Sequence, residues 1–300
     1  PAPLTVSFTD TSTGEPTGWA WCFGDETYDQ AWTQVNASAG WAAREAHTSV
    51  ALSDGSIVLM GGMGGGFTSL NDVWRSTDGG ETWTQQTASA GWSNRFDHTS
   101  VALPDGSIVL MGGFDGNYRS DVWRSTDNGT TWTLVNASAE WSARSGHTSV
   151  VLPDGSIVLM GGNGRRDVWR STDGGKTWTQ QTNNAGWSKR EGYSSVALPD
   201  GSIVLMGGYD GEYRRDVWRS TDGGKTWTQQ TNDAEWSARY SHSSVALPDG
   251  SIVLMGGVGG GLPNDVWRSA DNGTTWTEVN ANAGWPARYA HTSVVLPDRS

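Results

Sequence analysis

Residues 41–62 read Trp-Ala-Ala-Arg-Glu-Ala-His-Thr-Ser-Val-Ala-Leu-Ser-Asp-Gly-Ser-Ile-Val-Leu-Met-Gly-Gly, and residues 72–84 read Asp-Val-Trp-Arg-Ser-Thr-Asp-Gly-Gly-Glu-Thr-Trp-Thr. The segment that starts at Trp41 returns almost verbatim at Trp92, Trp141, Trp187, Trp236 and Trp285, at spacings of 51, 49, 46, 49 and 49 residues. Repeats of roughly 20–50 residues mean propellers, solenoids or arrays. The repeat also supplies an internal comparison: what stays fixed between units belongs to the scaffold, and what varies is a candidate for function.

Within the first unit, His47–Leu52 is a short run rich in Thr, Ser and Val that ends at the hairpin signal Ser53-Asp54-Gly55. Ser56–Gly61 carries Ile57-Val58-Leu59-Met60, a continuous apolar run suited to a strand buried on both faces. Asp72–Ser76 and Thr82–Thr87 form a second hairpin across Thr77–Gly80, and Trp74 and Trp83 are expected to fill the wedge between sheets. Each unit is therefore four antiparallel strands, a to d. One such sheet cannot bury both faces, and stacking copies radially solves that problem.

Five complete units give twenty strands, and the two ends supply the rest. Residues 31–41 copy the strand-d sequence of residues 82–92, Ala20–Asp25 stands where Val73-Trp74-Arg75 would lie, and Leu4–Thr9 alternates like a further strand. After Trp285 the chain offers one more strand, His291–Leu296. The expectation is an all-β, six-bladed β-propeller of four-stranded antiparallel blades. Its ring would be closed by N-terminal strands b, c and d plus a C-terminal strand a, which removes an open sheet edge.

Composition agrees. The 300 residues include 41 Gly and 19 Trp, and the net charge is −12. Most of that charge lies in the turns of the repeat and in residues 1–43, which lack Lys and Arg. Such acidity excludes a nucleic-acid surface, which needs a basic stripe. Cys22 is the single cysteine, so no intramolecular disulfide forms. No apolar run reaches the roughly 18 residues of a membrane span, so no direct membrane insertion is expected. A chain that starts at Pro1 reads as a mature product, a fragment or a trimmed form.

Two resemblances follow from these residues. Arg-x-x-His, Asp-Gly-Ser-Ile-Val-Leu-Met-Gly-Gly and the later Trp look like kelch repeats. Ser76–Trp83 is similar to the Asp-box (BNR repeat) of bacterial sialidases and related propellers, and it recurs at Ser125, Ser171, Ser220 and Ser269. Together they cover residues 31–300. Both motifs are structural and their propellers serve many functions. Residues 1–26, with Leu4–Gly14 and Trp21–Asp25, resemble the first half of a PKD domain, an immunoglobulin-like sandwich common on microbial cell surfaces, particularly in methanogenic archaea. The expected organisation is a PKD-like segment over 1–30, contributing strands to the closing blade, followed by the propeller over 31–300. The PKD likeness implies an extracellular or cell-surface setting.

Strand order assigns polarity. The d–a links and b–c loops share one face, and they hold nearly all the variation between units. The candidate ligand-binding residues on that face are Glu45, Phe67, Phe96, Asp97, Phe114, Tyr118, Arg119, Arg165, Arg166, Glu191, Tyr193, Tyr209, Tyr213, Arg214, Tyr240 and Tyr289. Aromatic side chains with polar edges on a rigid scaffold suit carbohydrate or protein recognition. The bland alternative is neutral drift in exposed loops.

The repeated ionisable residues are weighed as scaffold. His47, His98, His147, His242 and His291, with Tyr193 in the sixth place, are expected to ring the mouth of a central channel, where equivalent positions on separate blades do not converge on one metal ion. Arg44, Arg95, Arg144, Arg190, Arg239 and Arg288 invite comparison with a sialidase carboxylate clamp. Each belongs to the repeat, however, and bidentate pairing with the Asp of Asp-Val-Trp is the plainer role. Glu45 and Glu191 belong to units three apart, a poor arrangement for paired-carboxylate hydrolysis. A galactose-oxidase-like copper site is disfavoured because Cys22 lies outside the complete repeats. Asp78 is read as closing its own turn rather than holding calcium. The sequons at Asn36, Asn128, Asn136 and Asn272 permit glycosylation of an exported protein.

The resulting expectation is a non-catalytic extracellular module that binds glycan or protein, other cell-surface proteins included, without cofactor, metal or nucleic acid. The alternatives are a sialidase-like or other carbohydrate-active propeller enzyme and a purely architectural surface-layer component.

Overall fold

The computed structural model describes residues 32–297. Among them are five four-stranded antiparallel blades arranged as a β-propeller, and the one helical element is the single turn Gly65–Phe67. Blade one comprises Thr48–Ala51, Ile57–Gly64, Thr68–Ser76 and Thr84–Thr87. Blade two comprises Thr99–Ala102, Ile108–Met111, Val122–Ser125 and Thr133–Asn136. Blade three comprises Thr148–Val151, Ile157–Met160, Val168–Ser171 and Thr179–Thr182. Blade four comprises Ser194–Ala197, Ile203–Tyr209, Tyr213–Ser220 and Thr228–Thr231. Blade five comprises Ser243–Ala246, Ile252–Met255, Val266–Ser269 and Thr277–Asn280.

The number of blades is five, not the six expected. Residues 291–296 form no strand, and residues 32–36, the expected strand d, form none either. The expected strands at Leu4–Thr9 and Ala20–Asp25, and the whole PKD-like segment over 1–30, lie outside the described residues. A strand needs a backbone-paired neighbour, and no described strand pairs with either stretch, although Thr292 and Ser293 meet Ser49 and Ser243 through their hydroxyls.

The run Ile-Val-Leu-Met explains how blades stack. Its two parities face opposite neighbours. Val109 and Met111 of blade two pack with Ile157 and Leu159 of blade three, while Val158 and Met160 of blade three pack with Ile203 and Leu205 of blade four. Each such side chain, fully buried, contributes about 1.5–3 kcal/mol. The wedge is closed by a tryptophan pair. Trp92 and Trp132, Trp141 and Trp178, and Trp236 and Trp276 meet edge to face at 6.0 Å, and Trp187 meets Trp227 at 4.7 Å. The strand tryptophans, the counterparts of Trp74 and Trp83, pack into the wedge as expected, and Trp92, Trp141, Trp187 and Trp236, which open the repeat units, are buried more deeply still.

The turns lock neighbouring blades together. In the Asp-box turn, Ser125 Oγ accepts from Gly129 N at 2.9 Å and donates to Asp127 Oδ1 at 2.8 Å. Asp127 also accepts from Thr131 N at 2.9 Å. Gly129 has φ +90° and presses on the preceding blade, where an added Cβ would stand 2.7 Å from Val73 Cγ1. Both constraints demand glycine. The preceding turn position holds Asn128 and Asn272 in blades two and five, with φ 58° and 61°, where the other blades hold Gly79, Gly174 and Gly223. Asparagine is there because it tolerates the left-handed region.

The two ends meet beside blade five and reproduce contacts seen between blades. Trp32 meets Trp285 edge to face at 4.6 Å, and Asn36 Nδ2 donates to Glu81 O at 2.6 Å, as Asn136 Nδ2 does to Lys176 O at 2.9 Å. An apolar cavity of about 510 Å³ remains there, lined by Trp32, Val253, Met255, Val279, Trp285 and Val294 among others.

Candidate functional site

At one end of the channel, six residues stand in a ring and are joined by five backbone hydrogen bonds. Asp97 N donates to Ala46 O at 3.1 Å, Gly146 N to Asp97 O at 3.0 Å, and Ser241 N to Gly192 O at 2.6 Å. Ala290 N donates to Ser241 O at 2.9 Å, and Ala46 N to Ala290 O at 3.1 Å. All six have positive φ, between 51° and 61°. The C-terminal stretch thus occupies a sixth place at the centre although it adds no strand. Left-handed φ costs a non-glycine residue about 1–2 kcal/mol, and the occupants are accordingly Gly, Asp, Ser and Ala.

Beneath the ring, each repeated arginine is engaged. Arg95 places Nη1 2.7 Å from Asp121 Oδ1 and Nη2 2.8 Å from Asp121 Oδ2, and also donates to Gly112 O at 2.9 Å. The same fork joins Arg44 to Asp72, Arg144 to Asp167, Arg190 to Asp216 and Arg239 to Asp265. Arg288 donates to Pro286 O and lines the apolar cavity. The Asp partners also accept from the strand-c indoles, as Asp121 does from Trp123 at 2.8 Å.

The histidines line the channel below. Each Nε2 lies within hydrogen-bond distance of a hydroxyl on the adjacent blade: His98 to Thr48 at 3.1 Å, His147 to Thr99 at 2.9 Å, and His242 to Ser194 at 2.8 Å. His291 meets Ser243 at 3.2 Å, and His47 meets Thr292 at 3.3 Å. Burial, with the neighbouring arginine second, holds His147 and His242 down to about 3 and His47 and His291 to about 4. His98 is pushed well below the ordinary value by the same causes. The imidazoles are therefore neutral at physiological pH. Tyr193 takes the sixth place as a core residue, not a surface contact. Its hydroxyl donates to Met160 O at 2.8 Å and accepts from Gly162 N at 3.1 Å.

The mouth opens into a cavity of about 520 Å³. Its rim comes from the Arg–His gaps and b–c loops: Asp97, Tyr118, Ser145, Asn163, Glu191, Tyr240 and Ser241. Its walls carry the histidines and two layers of Ser and Thr. Burial raises Asp97 to about 6, helped by the carboxylates of Glu191 and Glu45. The three acids thus share one field, although Glu45 and Glu191 come from blades far apart. Among the described residues no group of three His, Cys, Asp or Glu is arranged to hold a metal ion.

Aromatic residues gather on the rim in two groups. Tyr209, Tyr213 and Tyr240 stand 5.3–5.8 Å apart, with Tyr213 and Tyr240 stacked at 24°. Tyr240 is raised by burial first and then by Tyr213 and Tyr289. Tyr213 and Tyr289 are 41% and 46% exposed. Phe96, Phe114 and Tyr118 form the second group, at 5.6 and 5.2 Å. Phe67, 85% exposed, caps the blade-one loop. Arg119 and Arg214 are held by Asp115 and Asp210 within their own loops. Arg166 donates to Trp187 O at 3.3 Å, and Arg165 is half-buried.

The sequence separates these tyrosines into two segments, Tyr209 and Tyr213 in one b–c loop and Tyr240 in the following d–a link, and its reading misses the ring of left-handed residues. A signal was present: the second residue of every Arg–His gap is small or Asp.

The model of the family described as BNR repeat-like domain matches residues 47–253, from the start of blade one into blade five. No curated protein matches the chain. With more than half its length matched by that model, the chain belongs to the BNR repeat-like family.

Proposed function

We propose that this protein is a non-catalytic extracellular binding module that recognises glycan through the face carrying the b–c loops and d–a links. The observation that carries this reading is the cluster of Tyr209, Tyr213 and Tyr240 at the rim of a 520 Å³ cavity. Aromatic faces present large, rigid contact area to sugar rings at low entropic cost, and the volume lies in the range of small-molecule sites. The Arg and His ring is scaffold on this reading, because five of its six arginines are ion-paired and its imidazoles are neutral. A cell-surface setting, with other surface glycoconjugates or proteins as partners, is supported by the PKD-like sequence of residues 1–26. Binding on a glycan array without turnover, lost in Tyr213→Ala/Tyr240→Ala, tests the proposal.

A carbohydrate-active enzyme is the second reading, favoured by the protonatable Asp97 in the field of Glu191. Release of reducing sugar that disappears in Asp97→Asn or Glu191→Gln would establish it.

A further inference from the structure

The mouth cavity carries an uncompensated charge. Among the described residues, Asp97 and Glu191 line it and no Lys or Arg does. Among the described residues neither carboxylate, nor that of nearby Glu45, is in an ion pair with an arginine or lysine, whereas five of the six repeated arginines beneath are held by their own aspartates. The histidines in the wall are neutral and supply no balancing charge. An anionic ligand therefore meets repulsion here, and a cationic one meets the only strong field in the cavity.

Two further observations narrow the ligand. Tyr240 lines the same cavity and stacks on Tyr213, while Glu191 and Tyr209 are paired through their backbones. Aromatic faces attract ammonium groups and pack against sugar rings. Deeper in the wall, Ser100, Thr148, Ser149, Ser195 and Ser244 belong to the layers of Ser and Thr that line the cavity, so a ligand that enters with several hydroxyls of its own meets a polar wall rather than an apolar one.

We propose that this cavity takes a protonated amino sugar, with its ammonium group held by Asp97 and Glu191, its ring against Tyr240 and its hydroxyls on the serine layer. The inference rests on the glycan reading of this face and adds the charge of the ligand to it.

Titration calorimetry at pH 7 with a glucosamine tetrasaccharide and with its N-acetylated counterpart tests it. The free-amine sugar is expected to bind at least tenfold more tightly than the acetylated one. Asp97→Asn/Glu191→Gln is expected to erase that preference while Arg144–Asp167 pairing and the melting transition persist. Equal binding of the two sugars overturns the inference and leaves the glycan reading standing. A preference that survives in the double variant also overturns it. If neither sugar binds while other glycans on an array do, this inference alone fails; if no glycan binds, the parent reading fails with it.

Discussion

Arg144 grips Asp167 through two parallel hydrogen bonds, Nη1 to Oδ1 at 2.8 Å and Nη2 to Oδ2 at 2.7 Å, with the guanidinium wholly buried against the Trp141 ring. A third bond to Gly161 O ties the strand-b exit to the d–a link. The fork is repeated on all five blades, so the link that leads into the channel is held by an ion pair in addition to backbone bridges such as that between Arg144 and Arg119. Removing one partner of a buried pair leaves the other charge stranded, at a cost of about 3–5 kcal/mol. Arg144→Ala is expected to show that loss in chemical denaturation. Arg144→Lys, which keeps the charge and loses the fork, is expected to recover only part of it. A lysine variant as stable as the native protein would refute the bidentate role.

The five channel histidines make the fold acid-labile. Their folded pKa values lie below the unfolded value of 6.5, at about 3 or 4 where resolved. The stability they contribute is therefore complete above pH 6.5 and is lost as pH falls through the folded values. Each histidine withdraws about 1.4 kcal/mol per pH unit in that window. Urea midpoints measured between pH 7.5 and 4.5 are expected to fall steadily, and less steeply in His147→Gln. A midpoint that holds constant across this range would contradict the account.

Asp97 has the opposite sign. Its folded pKa, about 6, exceeds the ordinary 3.8, so its favourable contribution is present below pH 3.8 and is lost as pH rises through 6. Asp97→Asn removes the carboxylate, and asparagine accepts the left-handed φ of 52°. At pH 7.5 the variant is expected to be more stable than the native protein by about 1–2 kcal/mol after solvent screening. At pH 4 the difference should vanish. Destabilisation at both pH values would show that Asp97 has a partner the structure lacks.

What could be read from the sequence divides along physical lines. The repeat, the strands and the buried run Ile157-Val158-Leu159-Met160 were legible because period and turn chemistry are local. That Val158 and Met160 face blade four while Ile157 and Leu159 face blade two was not, since parity alone does not say which neighbour lies on which side. Trp92 and its counterparts were overlooked as core because they stand in links rather than strands; their place at the head of every unit was the available clue. Tyr213 and Tyr240 lie in different loops, and only the ring brings their side chains to 5.8 Å. The blade number went wrong at the termini, where pairing depends on partners distant in sequence.

The central claim is that the interruptions of the repeat, not its fixed residues, make the binding surface. Glycan-array binding of the native protein beside Tyr213→Ala/Tyr240→Ala tests this most directly. The account predicts a defined set of bound glycans and at least a tenfold weaker signal from the double variant at an unchanged melting temperature. A native protein that binds nothing on the array, or a double variant that binds as well as the native one, would contradict it.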